Sequence, residues 1–421
     1  MIQPNVSRFM EQLLDGVEVE CKPISEVTLR TSNIKWRETD RSYHYIDLAS
    51  VSVDTKQIIE TSVITASDAP SRAQKLVEKD DVIFATTRPT QMRYCLINEK
   101  YDGEVASTGY CVLRVKKEEV LPKWILHLIS SSEFKIYLEE NQSGSAYPAI
   151  SDTKVKEFKI PIPCPDNPDK SLAIQAEIVR ILDAFTAMTA ELTAELNLRQ
   201  QQYNHYRDQL LSFDEDEVEW KKLGELVNDK FWIMPATPKF DENEDIPYIT
   251  SKNISGGHIS FDKVKYISRQ AHADLSRNRP IICGDFLISM IGTIGEVARV
   301  KETDGDFYGQ NMYLIRLNEE LIHAGYFLHF FDSPKMKRHF SLVKNNSGQG
   351  YLKANNIEDI LVPVPSLEEQ VRIASILDKF DTLTTSINEG LPREIELRQQ
   401  QYEYYRDLLL SFPKPDTEVV A

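Results

Sequence analysis

One stretch of this chain is written twice. Residues 175–213 read QAEIVRILDAFTAMTAELTAELNLRQQQYNHYRDQLLSF, and residues 370–412 read QVRIASILDKFDTLTTSINEGLPREIELRQQQYEYYRDLLLSF. Both open on Gln-x-x-Ile-x-x-Ile-Leu-Asp-x-Phe and close on Arg-Gln-Gln-Gln-Tyr-x-x-Tyr-Arg-Asp-x-Leu-Leu-Ser-Phe. A repeat of this kind constrains the fold because both copies must bury the same apolar face. In the first copy Ile178, Ile181, Phe185, Met188 and Leu192 step by three and four, and Tyr203, Tyr206, Leu210 and Phe213 continue the stripe. In the second, Ile373, Ile376, Phe380, Leu383 and Ile387 are followed by Tyr402, Tyr405, Leu409 and Phe412. That spacing predicts long helices, and a narrow stripe on a long helix predicts a coiled-coil seam. Each copy is the natural partner of the other, in an antiparallel pair. At ~1.5 Å per residue the first copy would span roughly 58 Å. Gly390-Leu391-Pro392 interrupts the second copy, and Pro392 should kink or restart the helix there.

The duplication extends beyond the helices. Gln12-Leu13-Leu14 echoes Gln209-Leu210-Leu211, and Val19–Val27 matches Val218–Leu226. The repeat is therefore circular: helix end, globular part, helix, globular part, helix. It predicts a pseudo-twofold α+β protein, with two similar mixed α/β domains separated by the two helices. The first globular domain covers 1–160, with 1–16 a short helix echoing a helix end. A helical spacer covers 161–213, the second globular domain 214–360 and a C-terminal helical region 361–421. Strands are expected at Tyr43–Val53, Asp81–Thr87 and Tyr110–Val115, then a helix over Pro122–Glu140. The second domain repeats the order with Tyr248–Ile254, Asp285–Ile291, Asn311–Leu317 and a helix over Ile322–Phe340. Asp81-Val-Ile-Phe-Ala aligns with Asp285-Phe-Leu-Ile-Ser, and Cys111-Val-Leu-Arg with Tyr313-Leu-Ile-Arg. Both domains carry a Ser-Gly loop with a tyrosine, Ser143–Tyr147 and Ser347–Tyr351, and both end in proline-spaced strands that must lie at an edge.

Composition narrows the function classes. Net charge is −16, yet 39 of the 49 basic residues fall in 1–160 and 214–360, so the globular parts can still present local positive surfaces. The acidic helical segments suit a protein partner. The five cysteines are scattered without a Cys-x-x-Cys, which predicts reduced thiols and a cytoplasmic setting. No apolar run approaches the ~18 residues of a membrane span, and the N-terminus lacks the pattern of a secretory leader.

Catalytic patterns are missing. There is no Gly-rich cofactor turn with an Asn/Asp-Pro-Pro-Tyr/Phe loop for adenine methylation. Gly292-Thr-Ile-Gly295 lacks the following Gly-Lys-Ser/Thr of a phosphate loop. The acidic residues near Asp166 and Glu219 lack nuclease spacing. The eight histidines are dispersed, and His323 and His329 are six apart, wrong for a same-face metal pair. The residues point to a non-catalytic protein without a metal site, either a DNA reader or a helical adaptor that assembles proteins.

Four strings carry a resemblance: PIPCPDNPDKSLAIQAEIVRILDAF, the tandem Thr189-Ala190-Glu191-Leu192 and Thr193-Ala194-Glu195-Leu196, RQQQYNHYRDQLLSF, and GLPREIELRQQQYEYYRDLLLSFPKP. On these the chain resembles the specificity subunit of type I restriction–modification enzymes, and within it the type IC group, over essentially its whole length. The resemblance implies a non-catalytic bacterial defence subunit. Each globular domain would read one half of a bipartite double-stranded DNA site. The helices would dock two methyltransferase subunits, and endonuclease/translocase subunits would join. S-adenosylmethionine, ATP and Mg would be held by those partners and no cofactor by this chain.

Two sets of residues follow. Thr189–Leu196 would be a spacer ruler, since each four-residue copy adds ~6 Å of helix. The DNA-reading candidates are polar, basic and aromatic residues of the diverged loops, because Arg and Lys suit guanine or phosphate and Asn and Gln suit adenine. In the first domain they are Trp36, Arg37, Arg41, Thr86, Thr87, Arg88, Gln91, Arg93, Ser143, Ser145 and Tyr147. In the second they are Ser251, Lys252, Asn253, Gln310, Asn311, Asn345, Asn346, Ser347, Gln349, Tyr351 and Lys353. The tyrosine-rich helix ends, Tyr404 included, are expected to pack one helix on the other, or in part to face a methyltransferase helix.

Overall fold

The computed structural model describes residues 13–14, 16–214, 216–344, 350–386 and 389–412. The echo at Gln12, the seam position Ile387 and the candidates Asn345, Asn346, Ser347 and Gln349 lie outside the described residues. The chain divides into two compact units, 1–194 with 394–421, and 195–393.

In the first unit the run Tyr110–Val115 forms a strand with the expected bounds, buried at every position except Arg114. It lies inside a four-stranded antiparallel sheet in the order Thr28–Leu29, Tyr110–Val115, Val82–Ala85, Tyr94–Leu96. A second sheet runs Ser62–Ile64, Tyr43–Ile46, Val105–Ser107, Ala73–Leu76, and its central pair is parallel. The proline-spaced strand Lys159–Pro163 pairs only with Val19–Pro23, antiparallel, as a strand with missing N–H donors must.

The second unit repeats the plan. Val227–Ile233, Met312–Leu317, Phe286–Ser289 and Val297–Arg299 form the antiparallel sheet. Lys265–Ile267, Ile246–Ile249 and Tyr308–Gly309 form the other, again with one parallel pair. Glu219–Lys222 pairs with the proline-spaced Leu361–Val364.

Both units also repeat a buried charge pair. Asp81 accepts Arg114 Nε at 2.9 Å and Nη2 at 2.8 Å, and Asp285 accepts Arg316 Nε at 2.7 Å and Nη2 at 2.9 Å. The carboxylates are wholly enclosed. Each also accepts a backbone N–H, from Glu78 and Ile282 respectively, so both oxygens of each carboxylate are hydrogen-bonded.

Each single helix expected after the sheets is two helices. Pro122–Leu128 and Ser132–Asn141 are separated where Ser131 accepts the N–H of Phe134, and Ala324–Phe331 and Pro334–Val343 where Ser333 accepts that of Met336. A serine N-cap begins a new helix, and Pro334 has no N–H to continue the old one. The expected strands over Tyr43–Val53 and Tyr248–Ile254 also stop early. Asp47 turns back to accept the Ser50 N–H, and Asn253 does the same for Thr250 N–H.

The spacer copy is one continuous helix, Pro168–Leu210, of 43 residues. The C-terminal copy is two, Leu367–Thr385 and Leu391–Leu409, with Pro392 in the first turn of the second, where its missing N–H is harmless. Gly390, at φ +84°, closes the break. A Cβ there would stand 2.5 Å from the Thr382 carbonyl oxygen, so only glycine fits over the helix end. Within the first unit Phe185 stacks on Tyr405, and within the second Tyr203 and Tyr206 stack on Phe380. An early residue of one copy thus meets a late residue of the other, the antiparallel sense. The upper parts of the seam behave differently: Ile178 and Ile373 are buried in the cores of the globular domains. Among the described residues no helix is long and apolar enough to cross a membrane.

Candidate nucleic-acid interface

The loop after Val82–Ala85 is built from both ends. Thr86 is buried and bonds the Gly109 carbonyl through its hydroxyl at 2.9 Å. Thr87 bridges to Ala149, and the Arg88 N–H donates to the Pro148 carbonyl at 2.7 Å. This clamps the 86–92 loop onto the 143–149 loop. Gly144 is required at the turn: its φ is +93°, and a Cβ would meet the Tyr147 carbonyl oxygen at 2.9 Å. Arg88 and Met92 both hold left-handed backbone (φ 50° and 52°), a conformation costing about 1 kcal/mol or more for a residue with a Cβ. Arg88 stands where the second unit has Gly292.

That clamped pair of loops gathers Arg88, Gln91, Ser143, Ser145 and Tyr147 on one exposed surface. Tyr147 is 73 % exposed, and the Arg88 guanidinium lies 5.7 Å over its ring. A cation, an amide, two hydroxyls and an open aromatic face can supply phosphate, base-edge and sugar contacts together. Arg93 differs: its guanidinium is turned inward onto the carbonyls of Leu48 and Val51. Trp36 donates from Nε1 to the Ala73 carbonyl at 2.9 Å and packs edge-on against Tyr43. Arg41 lies 4.0 Å over the Tyr43 ring and bonds the Gly103 carbonyl, with Arg37 exposed nearby in sequence. The structure thus brings together five of the first-domain candidates and engages Thr86, Arg93 and Trp36 in holding the loops.

In the second unit Ser251 is buried and its carbonyl accepts the Thr293 hydroxyl at 2.8 Å, while Lys252 is exposed. Asn253 is spent on its own turn, accepting Thr250 N–H and donating to the Ser260 carbonyl. Ile291 bridges to Tyr351, as Thr87 does to Ala149, so Tyr351 and Tyr147 are not in equivalent places. Gln310 accepts the Tyr248 hydroxyl at 3.3 Å, and Asn311 has φ 66°. Lys353 is exposed, with its N–H given to Asn356.

The helices hold groups the sequence reading passed over. In the first unit His127 bonds Tyr402 Oη through Nδ1 and Asp183 Oδ1 through Nε2, both at 3.0 Å. In the second His329 bonds Tyr203 Oη at 3.2 Å and Asp378 Oδ1 at 2.7 Å through the same two nitrogens. A carboxylate only accepts, so Nε2 donates to Asp183 or Asp378 in each case, and Nδ1 meets the tyrosine hydroxyl. Burial pushes the Tyr203 hydroxyl up to about 12 and raises that of Tyr402. Burial also works against ionised Asp183, but hydrogen bonds from His127 and Lys123 outweigh it and hold its carboxyl below the ordinary range. The signal available in the sequence was the repeat itself, which places a histidine and an Ile-Leu-Asp at matching points of both copies.

The ruler residues Thr189–Leu196 lie inside the continuous helix, where Thr189 and Thr193 donate to the carbonyls of Phe185 and Thr189. Met188, Leu198, Tyr206, Leu397 and Tyr404 are exposed apolar or aromatic side chains of the helical segments. Arg199 bonds Glu195 and Gln202 in one copy, and Arg398 bonds Glu394 and Gln401 in the other.

Comparison with known proteins agrees with this geometry. The family described as "Type I restriction modification DNA specificity domain" matches twice, over residues 19–199 and 215–397. The chain is 38 % identical to the Escherichia coli EcoR124I/EcoR124II specificity subunit, over 97 % of this chain and 98 % of that one. It is 32 % identical to the E. coli EcoprrI specificity subunit, over 90 % and 92 %. A solved chain from work on complex assembly and conformational transition of the type I R-M system shares the fold at TM-score 0.61. Its identity is 20 %, over 93 % of this chain and 97 % of that one. The S subunit from M. genitalium does so at 0.54 and 14 % identity, over 95 % and 98 %.

Proposed function

This chain belongs to the family of type I restriction–modification specificity subunits, and from that premise we propose how its parts divide the work. Each globular domain reads one half of a bipartite site in double-stranded DNA. The helices dock two methyltransferase subunits through exposed side chains such as Leu198, Tyr206, Leu397 and Tyr404, and endonuclease/translocase subunits complete the assembly. Methylation and cleavage, with S-adenosylmethionine, ATP and Mg, belong to those partners, and the complex works in the cytoplasm. Thr189–Leu196 sets the gap between half-sites.

The observation that carries this reading is the contrast between frame and loops. Both units keep the sheets, the buried Asp–Arg pair and the helix attachment. The loops bearing Arg88 and Tyr147 in one unit and Lys252 and Tyr351 in the other have diverged. Two like domains with unlike loops suit two different half-sites at one spacing. Mapping methylated bases in cells with and without the gene, its methyltransferase partner present in both, tests this. A bipartite motif that depends on the gene is expected, and an unchanged methylome would refute it.

A further inference from the structure

In each globular domain one histidine bonds both helical copies at once. His127, on Pro122–Leu128, takes Asp183 from the spacer helix and Tyr402 from Leu391–Leu409. His329, on Ala324–Phe331, takes Tyr203 from the spacer helix and Asp378 from Leu367–Thr385. Each Asp–His–Tyr relay lies within one unit. Both histidines are buried, and both use both ring nitrogens.

Three features separate these relays from ordinary packing. First, the histidine reaches both helical copies, whereas Lys123 to Asp183, Ser132 to Asp407, Gln175 to Leu121 and Gln370 to His323 each tie the domain to one copy. Further seam contacts, such as Phe185 on Tyr405 and Phe380 on Tyr206, are aromatic. Such contacts are non-directional and tolerate a domain sliding or rolling by a fraction of a turn. Hydrogen bonds to both sides of one imidazole do not, because their strength falls steeply with angle. Second, the buried imidazole and tyrosine hydroxyl cost desolvation while Asp183 and Asp378 stay partly in solvent (33 % and 62 % exposed), so the net stability from each relay is small and its product is geometric uniqueness. Third, both copies keep all three groups although the carrying helices have diverged, PKWILHL against AGYFLHFF.

The spacer helix supplies Asp183 to one relay and Tyr203 to the other, twenty residues along, and Thr189–Leu196 falls between them. On the interrupted copy Asp378 and Tyr402 are twenty-four residues apart, with the break at Gly390 between their helices.

We propose that the two Asp–His–Tyr relays are positioning groups that hold each recognition domain at one setting on the helices, and so make the gap between the half-sites strict. This rests on the DNA-recognition reading above. A ruler made of helix sets a mean distance; fixed attachment at both ends turns that distance into a narrow tolerance.

The test uses the full chain co-expressed with its methyltransferase partner, comparing wild type with Tyr402→Phe, Tyr203→Phe and the double variant. Each substitution removes one hydroxyl and keeps the ring. Methylation is read on duplexes carrying the wild-type half-sites at the native gap and at gaps one and two base pairs longer and shorter. Each single variant should raise methylation at off-by-one gaps, relative to the native gap, by about tenfold, equivalent to ~1.4 kcal/mol and the size of one net hydrogen bond. The bases read within each half-site should be unchanged. If thermal stability or total methylation falls while the ratio between gaps stays fixed, the tyrosines only pack and the inference is overturned. Loss of methylation at every gap overturns it equally. A wild-type complex with no bipartite motif would instead remove the recognition reading itself, whereas a strict wild type with equally strict variants removes only the relays' role.

Discussion

Deleting Thr193–Leu196 is the most direct way to ask whether the spacer helix measures DNA. The segment lies inside one unbroken helix, so no kink or loop is available to absorb the change. Four residues remove ~6 Å of rise and ~400° of rotation, a net turn of about 40°. Duplex DNA rises ~3.4 Å per base pair and makes a turn in 10–10.5 base pairs, or roughly 35° per step. The axial change therefore corresponds to nearly two base pairs and the angular change to about one. The gap between half-sites should shorten by one or two base pairs, with the half-site bases unaltered. Inserting a third Thr-Ala-Glu-Leu copy should lengthen it equally. Replacing Thr189 and Thr193 together by alanine keeps the length while removing their hydrogen bonds to the Phe185 and Thr189 carbonyls, and should leave the gap alone. Methylated-base mapping of genomic DNA reads all of these. An unchanged gap after the deletion, or a shifted gap after the alanine pair, would refute the reasoning.

Asp285→Asn would remove the enclosed carboxylate that takes Arg316 Nε and Nη2, leaving Arg316, 27 % exposed, with the longer Asp229 contact at 3.4 Å; it should lower stability in denaturant titration by ~1–3 kcal/mol, with Asp285→Leu combined with Arg316→Met recovering most of it. Lys56 bonds the Met92 carbonyl, and burial pushes its ammonium down to about 8. Since the unfolded chain then holds this proton to higher pH than the folded one, Lys56 should make stability rise between about pH 8 and 10.5. Lys56→Met should abolish that rise in thermal midpoints measured against pH. Arg88→Ala should weaken DNA binding and lower the slope of log affinity against log salt by about one if the residue meets a phosphate. Arg93→Ala should instead lower the melting temperature, because its guanidinium holds the Leu48 and Val51 carbonyls; an altered salt slope with unchanged stability would refute that assignment.

Much of the architecture was legible because it rests on local periodicity and local backbone chemistry. The circular repeat is a match between long strings, and the strand Tyr110–Val115, the edge position of the proline-spaced strands and the restart at Pro392 are properties of a few consecutive residues. Helix breaks at Ser131 and Ser333 were local too, but a serine reads equally as an exposed helical residue until its hydroxyl is seen to cap the next turn.

The amino-acid sequence by itself determined that the protein is a duplicated pair of α+β domains joined by related helices, and it carried the family in long strings. It aligned Asp81 with Asp285 and Arg114 with Arg316, yet it could not show that each Asp pairs with its Arg. That follows only when Val82 and Leu113 come into register on neighbouring strands. It showed eight dispersed histidines, two of which prove to be junctions of helices far apart in the chain. The candidate loop residues were likewise divided by the tertiary structure: Arg88 and Tyr147 face outward together, while Arg93 and Trp36 turn inward to carbonyls. The physical reason is common to all three cases. A pattern along the chain specifies which face of an element is apolar, but the partner of a polar side chain depends on strand register and helix docking, which the packing of the whole domain decides.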